Sequence, residues 1–299
     1  MQRLKRFGLI TAIVVPAIWL VGSAIVAYGI ALPHSRSFDD IAELEGHKVE
    51  AVEFSATDGC RVSGWYAPTD SKRAIIFTHG IGADRRQLEG NMAFYLARGY
   101  AGLAIDLRGH GKSEPRPVSM GWYERNDLLG AIAFLKEKGY EHIGANGISL
   151  GAATIIYAAQ DKPSLDFLIL ESPYYTIDTA LDNRITMVGA PVWIAAAFRR
   201  IAPYFTGADN QQLRPLDWMD DITTPMLLLA GDNEAEIPVS ETEELFAACA
   251  AATKQMFLFK DATHRTRLVK RRTENYTKVV DEFLAKVYPP AVTSLAAVQ

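Results

Sequence analysis

His142-Ile143-Gly144-Ala145-Asn146-Gly147-Ile148-Ser149-Leu150-Gly151-Ala152-Ala153-Thr154-Ile155-Ile156-Tyr157 is the stretch whose reading decides the fold. Inside it, Gly147-Ile148-Ser149-Leu150-Gly151 has the form Gly-x-Ser-x-Gly. A short strand-like segment precedes the pattern and an Ala/Ile-rich helical segment follows it. A sharp strand-to-helix turn needs this arrangement, with the serine at a strained apex and its hydroxyl exposed. Small residues flank the apex because the strand and helix backbones nearly touch there. The five-residue pattern also arises by chance in glycine-rich loops. The strand–turn–helix context separates this instance from those, and it makes Ser149 the candidate nucleophile.

A serine hydroxyl is a poor nucleophile by itself. It needs a base for its proton, a carboxylate to orient that base, and donors for the developing oxyanion. With the serine on such a turn, the acid and then the histidine are expected in loops after later strands. Of the six histidines, only His264 follows Ser149. It stands in Asp261-Ala262-Thr263-His264, directly after the last strand-like segment, so it is the candidate base. His79 closes an earlier strand as His79-Gly80-Ile81-Gly82 and reads as a brace for that loop. The same loop is placed to supply one oxyanion N–H, from Ile81, and Leu150 supplies the other. His110, in Asp106-Leu107-Arg108-Gly109-His110-Gly111-Lys112-Ser113, reads as structural. Gly111-Lys112-Ser113 is no phosphate loop, because the glycine required five residues earlier is Asp106. Asn275-Tyr276-Thr277 lies in a helical pattern and reads as a chance glycosylation match. Cys60 and Cys249 have a spacing that does not establish a disulfide.

Outward from the serine, the chain alternates short apolar strands with amphipathic helices. Strand patterns fall at 74–78, 101–105, 167–170, 225–230 and 255–259. Helical patterns fall at 88–98, 122–138, 239–252 and 274–287. This alternation predicts a mostly parallel sheet with helices on both faces. His47–Ala56 and Arg61–Ala67, joined at Asp58-Gly59, predict an antiparallel hairpin before it. Residues 174–220 are too long for a simple crossover and are expected to form a helical cap over the serine. Within them Thr186–Phe198 is a 13-residue uncharged run, expected as a buried or interfacial helix. The cap carries Tyr174, Tyr175, Trp193, Phe198, Tyr204, Phe205 and Trp218, which suits an apolar acyl group.

The first residues are of another kind. Arg3, Lys5 and Arg6 precede Phe7–Leu32, 26 residues without a charge. That is longer than the roughly 20 a helix needs to cross a bilayer, and longer than the core of a cleaved signal peptide. Trp19 lies too centrally in it for a membrane interface. The expectation is an uncleaved single-pass signal anchor over residues 1–36, a catalytic domain over 37–288, and an unstructured tail over 289–299. Basic residues before the span put the N-terminus in the cytoplasm and the large domain on the other side, periplasmic or extracellular. Residues 1–36 hold four Lys/Arg and no Asp/Glu, so the remainder carries 27 basic and 35 acidic side chains. An acidic domain is unsuited to nucleic acid, and anionic lipid heads would not hold it at a membrane.

Taken together, His79-Gly80-x-Gly82, Asp106-x-Arg108-Gly109-His110-Gly111-x-Ser113, Gly147-x-Ser149-x-Gly151, Gly231-x-x-Glu234-x-x-Ile237-Pro238 and His264 resemble the α/β-hydrolase superfamily. The likeness is to its serine esterase, thioesterase and peptidase-like branch. It runs over about residues 47–287. It implies the α/β-hydrolase fold, hydrolysis of an acyl bond through an acyl-enzyme, and neither cofactor nor metal. The loop 231–238 offers Asp232, Glu234 and Glu236 as the acid, with Glu171 after the preceding strand as a fourth. The family pattern selects Glu234, a position where aspartate is usual. The competing expectations are a non-catalytic binding protein on the same fold, and a thioesterase or peptidase rather than an esterase. A halide- or peroxide-using relative is a more distant one.

Overall fold

The computed structural model describes residues 2–271 and 273–288, so the tail expected over 289–299 lies outside the described residues. Eight strands form the central sheet: β1 Glu50–Ser55, β2 Arg61–Ala67, β3 Arg73–Thr78, β4 Ala101–Ile105, β5 His142–Ile148, β6 Phe167–Glu171, β7 Met226–Gly231 and β8 Lys254–Phe259. Their order across the sheet is β8-β7-β6-β5-β3-β4-β2-β1. β1 with β2 and β2 with β4 run antiparallel, and every other neighbouring pair is parallel. The interior strands are apolar on both faces because both faces are covered: Ala74–Phe77 and Leu227–Leu229 are fully buried. Alternation divides their side chains between two cores. Ile76, Leu103 and Ala145 point into one, and Ile75, Phe77, Ala104 and Phe167 into the other.

The first core is closed by α3 Arg125–Glu137, α4 Leu150–Ala158 and α7 Val239–Ala248. The second is closed by α2 Glu89–Leu96, the short α8 Leu268–Arg271 and α9 Thr273–Val287. The hairpin turns at Asp58-Gly59, with Gly59 at φ 85°. The strand expected from His47 is shorter, because His47–Lys48 pairs back on Glu43–Leu44 and the long strand starts at Glu50. α3 likewise starts three residues later than its apolar pattern suggests. The Glu124 carboxylate accepts the backbone N–H groups of Ser119 and Gly121, which holds 119–124 as a loop.

The 174–220 segment contributes α5 Ile177–Met187 and α6 Ala196–Thr206, with 3₁₀ turns at Val192–Ala195 and Pro215–Trp218. The single helix expected over Thr186–Phe198 is not formed. α5 ends at Met187, Gly189 adopts φ 70°, and Pro191 precedes a new turn. A left-handed glycine followed by proline ends a helix because neither suits a continuing helix. The run is therefore a corner, and Met187, Val188, Val192, Trp193 and Ile194 on it are exposed.

The N-terminal apolar stretch is one helix, α1 Gln2–Ala31. Its second half packs along α6. Trp19 Nε1 donates to the Ile194 carbonyl at 2.8 Å and its ring meets Trp193 edge-on. Tyr28 meets Phe205 in the same way. After α1, His34–Ser35 pairs in parallel with His110–Gly111.

The β5–α4 junction is the tightest point of the fold. Ser149 has φ 52° and ψ −108°, outside the ordinary regions for a residue with a side chain. A Cβ on Gly147 would stand 2.6 Å from the Gly151 carbonyl, and one on Gly151 would stand 2.3 Å from the Thr78 carbonyl oxygen. Gly151→Ala thus forces backbone against backbone. It is expected to cost about 1–3 kcal/mol and to lower Tm by several degrees in a thermal melt. An unchanged Tm would contradict this close approach.

Candidate active site

Ser149 is the N-cap of α4, and its backbone N–H is tied to the Glu171 carbonyl at 2.7 Å. Its Oγ lies 3.1 Å from Nε2 of His264. The other ring nitrogen, Nδ1, lies 3.0 Å from Oε2 of Glu234. The three side chains form one hydrogen-bonded line, although 115 and 30 residues of chain separate the members of each pair. Parallel pairing of β7 with β8 brings Gly231 opposite Phe259, so the two loops leave the sheet side by side. They are then stitched together. Asn233 N donates to the Ala262 carbonyl at 3.0 Å, and Asp261 N donates to Asp232 Oδ1 at 2.6 Å.

Glu234 is buried and its carboxylate is fully engaged. Oε1 accepts the Gly231 N–H at 2.7 Å and the Ser172 hydroxyl at 2.6 Å, leaving Oε2 for the histidine. Two donors on one oxygen fix the direction of the carboxylate and aim the other oxygen at the ring. Asp232 is exposed and spends its oxygen on the turn before His264. Glu236 is half-buried beside the cavity behind the histidine. Glu171 is buried beneath the apex, where Asn91, Asn146 and Tyr276 all donate to its Oε1 at 2.8, 3.1 and 3.1 Å. Burial pushes the Glu171 carboxyl up from its usual range. Of the four acids considered, the one in hydrogen-bond contact with His264 is Glu234. Ser172, which completes its coordination, had no distinguishing sequence signal beyond standing next to Glu171 in the loop after β6.

Leu150 is the first residue of α4, so its N–H has no acceptor within the helix. Ile81 lies in the Gly80–Ala83 turn facing it, and both residues line the cavity that holds Ser149. The turn is held by two buried histidines. His79 Nε2 accepts Leu107 N–H at 3.0 Å while Nδ1 faces the Gly80 carbonyl at 2.8 Å. His110 Nε2 accepts Gly82 N–H at 3.2 Å while Nδ1 faces the Arg108 carbonyl at 3.0 Å. Each ring must carry its proton on Nδ1 and must be neutral, since a proton on Nε2 would point at another N–H. Burial lowers both, and the neighbouring His79, His34 and Arg36 lower His110 further, to about 3.

Two cavities meet at Ser149. One, of about 290 Å³, is mainly apolar and lies under the cap, with Tyr174, Leu181 and Phe198 among its walls. The other, of about 420 Å³, lies behind His264 and is lined by Gln87, Asn91, Glu236, Arg265 and Arg267. A serine poised between an apolar and a polar chamber can divide a substrate into an apolar acyl part and a polar leaving part. Of the seven cap aromatics, Tyr174 and Phe198 line the apolar chamber, whereas Trp193 and Tyr204 are exposed. Among the described residues, no group of three or more His, Cys, Asp or Glu side chains is arranged to hold a metal. Cys60 and Cys249 are both buried free thiols.

The comparisons agree with this architecture. A family profile described as serine aminopeptidase, S33, matches residues 69–217. The uncharacterized protein YqkD of Bacillus subtilis (strain 168) is 30% identical over 296 residues, spanning 90% of this chain and 95% of that one. Among solved structures, an esterase of Pyrococcus furiosus has a TM-score of 0.74 at 23% identity, covering 87% of this chain and 98% of its own. A bacterial membrane phospholipase A has a TM-score of 0.62 at 16% identity, covering 97% of this chain and 100% of its own. The chain belongs to the α/β-hydrolase superfamily and has an esterase-like fold.

The neutral histidines make a pH prediction. Their folded pKa values lie below the ordinary value near 6.5, so the stability they contribute is complete above pH 6.5. It is lost as pH falls below that value, for His110 toward about 3, at up to about 1.4 kcal/mol per pH unit. Buried Asp127 and Glu171 have raised values and act in the opposite sense. The measurement is therefore a difference. His110→Gln, which keeps an acceptor that acid does not protonate, should lose less Tm than the unmodified protein between pH 7 and pH 4. Parallel Tm curves would refute this.

Proposed function

We propose that this protein is a membrane-anchored serine hydrolase that cleaves an ester-type bond to an apolar acyl group. In this reading Ser149 Oγ attacks the acyl carbonyl while His264 Nε2 takes its proton. Glu234 holds the Nδ1 proton and stabilises the imidazolium. The N–H groups of Ile81 and Leu150 receive the oxyanion. The histidine returns the proton to the departing alcohol, leaving an acyl-serine. Water, deprotonated by the same histidine, then releases the acid. The observation that carries the reading is the unbroken line from Ser149 Oγ through His264 to Glu234 Oε2 at the mouth of the apolar chamber.

The acid can be tested by substitution. Gly231 N–H and the Ser172 hydroxyl both point at Oε1, so an amide at this position must turn its oxygen toward them. Its NH₂ then faces Nδ1 and forces the wrong histidine tautomer. Glu234→Gln is expected to lower kcat by about 10⁴, as removing this carboxylate does in serine proteases. Asp232→Asn and Glu236→Gln should stay within roughly tenfold. A fluorophosphonate probe should label Ser149, and the Ser149→Ala protein should remain unlabelled. Folded protein that neither labels nor hydrolyses p-nitrophenyl esters would leave the binding-protein alternative standing.

The anchor is α1. Residues Ala12–Ala31 have a mean hydropathy of 2.1, and Ile13, Val15, Ile18, Val21 and Ile25 present their side chains outward. Trp19 and Trp193 pair where the cap corner meets the helix. From Phe7 to Ala31 the uncharged part of the helix runs about 36 Å, enough for the roughly 30 Å of a hydrocarbon core. With Arg3, Lys5 and Arg6 holding the N-terminus in the cytoplasm, the hydrolase domain lies on the other side. A C-terminal alkaline-phosphatase fusion should be active and a C-terminal green-fluorescent fusion dark. The reverse pair of results would overturn the orientation.

A further inference from the structure

The apolar chamber at Ser149 is not built by the hydrolase domain alone. Ala27 and Ile30 of α1 form part of its wall, opposite α5 and α6. Ala27 is fully buried, and Ser23 and Ala31, one turn away on either side, are also buried. These small side chains let the α6 backbone come close to α1. Phe198 and Leu181 then separate the chamber from a second, adjoining groove of about 370 Å³, and both residues line the two spaces. The groove continues along α1 past Val26, Ser23 and Gly22 to Trp19. Its walls are almost wholly apolar. From Ile30 to Trp19 the path follows about 16 Å of helix axis. One end is the nucleophile, and the other is the aromatic pair at the cap corner.

An apolar chamber at a reactive serine, adjoined across Phe198 and Leu181 by an apolar groove, fits a flexible hydrocarbon tail that displaces those two side chains. A rigid or polar acyl group would fill the first chamber and gain nothing from the second. The groove also runs along the segment that would hold the protein in the bilayer, where a two-part amphiphile presents its tail. We propose that α1 is a wall of the acyl-binding site as well as an anchor. A medium-to-long acyl chain lies between α1 and the α5–α6 pair, and Ala27 and Ile30 set the chain length accepted at Ser149. This rests on the serine-hydrolase reading of Ser149. It adds that the substrate is a long-chain, lipid-like ester and that residues of the N-terminal helix select it.

The test uses the full-length chain in detergent micelles, with p-nitrophenyl acetate, octanoate and palmitate as probes. Ala27→Phe would block the chamber beside Ser149. Its expected effect is a fall of about tenfold or more in the ratio of octanoate to acetate kcat/KM. Ala27 is packed against the cap, so a second variant guards against loss of that packing. Gly22 faces open space in the outer groove, with nothing within 4 Å of a Cβ there. Gly22→Phe should lower the ratio of palmitate to octanoate by a similar factor while the octanoate to acetate ratio holds. Chain-length profiles that match the unmodified protein in both variants would overturn the inference, with the serine-hydrolase reading intact. Unmodified protein that neither hydrolyses any of the three esters nor labels with a fluorophosphonate would overturn that reading, and this inference with it.

Discussion

The close approach of Gly147, Gly151 and Thr78 governs how the rest of the site is arranged. A strand and a helix can leave one serine exposed only if their backbones pass within contact distance. Here each added Cβ would meet main-chain atoms, so no side-chain movement relieves it. The strained φ of Ser149 is the consequence, a conformation that costs of order 1–3 kcal/mol. What offsets it lies directly beneath. Ser149 N–H is bonded to the Glu171 carbonyl, and the Glu171 side chain draws donors from α2, β5 and α9 to one oxygen. The polar cluster under the apex is thus a fastening that reaches across the sheet. This engagement also explains why Glu171 is turned away from His264.

The two loops that answer the serine are positioned by different means. The β7 and β8 loops depend on each other. A Cβ on Gly231 would stand 2.1 Å from the Ala262 carbonyl oxygen, so glycine is what lets the loops press together. Asp232 then secures Asp261 in its left-handed turn, which sets the direction in which His264 leaves. The longer reach of glutamate over aspartate is taken up in the same place. The Glu234 side chain folds back far enough to accept its own loop's Gly231 N–H, and Ser172 clamps it from β6.

Much of this was legible in the sequence, for a physical reason. Elements set by local chemistry announce themselves: buried parallel strands as continuous apolar runs, the elbow as paired glycines, the hairpin as Asp58-Gly59. Their order fixes which loops can meet, and this is how His264 stood out by position alone. Glu234 was chosen by family pattern, because three carboxylates within five residues are chemically alike until a backbone donor distinguishes them. Ser172 and the Asn91–Asn146–Tyr276 donors left no pattern, since each is an ordinary polar residue whose partner lies far away in the chain. The corner at 188–191 was misread because an uncharged run obscures punctuation. Gly189 and Pro191 were present, but apolar continuity outweighed them.

The docking of α1 reaches further than the cavity at Ser149, through the five residues that follow it. His34 stacks on His110 with ring centroids 5.2 Å apart, and Arg36 donates to the Gly82 carbonyl at 2.9 Å. Gly82 is therefore held from both sides, by its carbonyl to Arg36 and by its N–H to His110. Ile81, the neighbouring residue on the wall of the cavity at Ser149, is fixed only as accurately as Gly82. The His34–Ser35 and His110–Gly111 pairing locks the same linker to the loop that Asp106 organises through Arg85 and Lys112. A cut that removed His34 and Arg36 along with the N-terminal helix would thus take part of the frame that fixes the 80–83 turn. From His34 onward the linker's hydrogen bonds belong to the loops beside Ser149, through Gly109, Gly111 and Gly82.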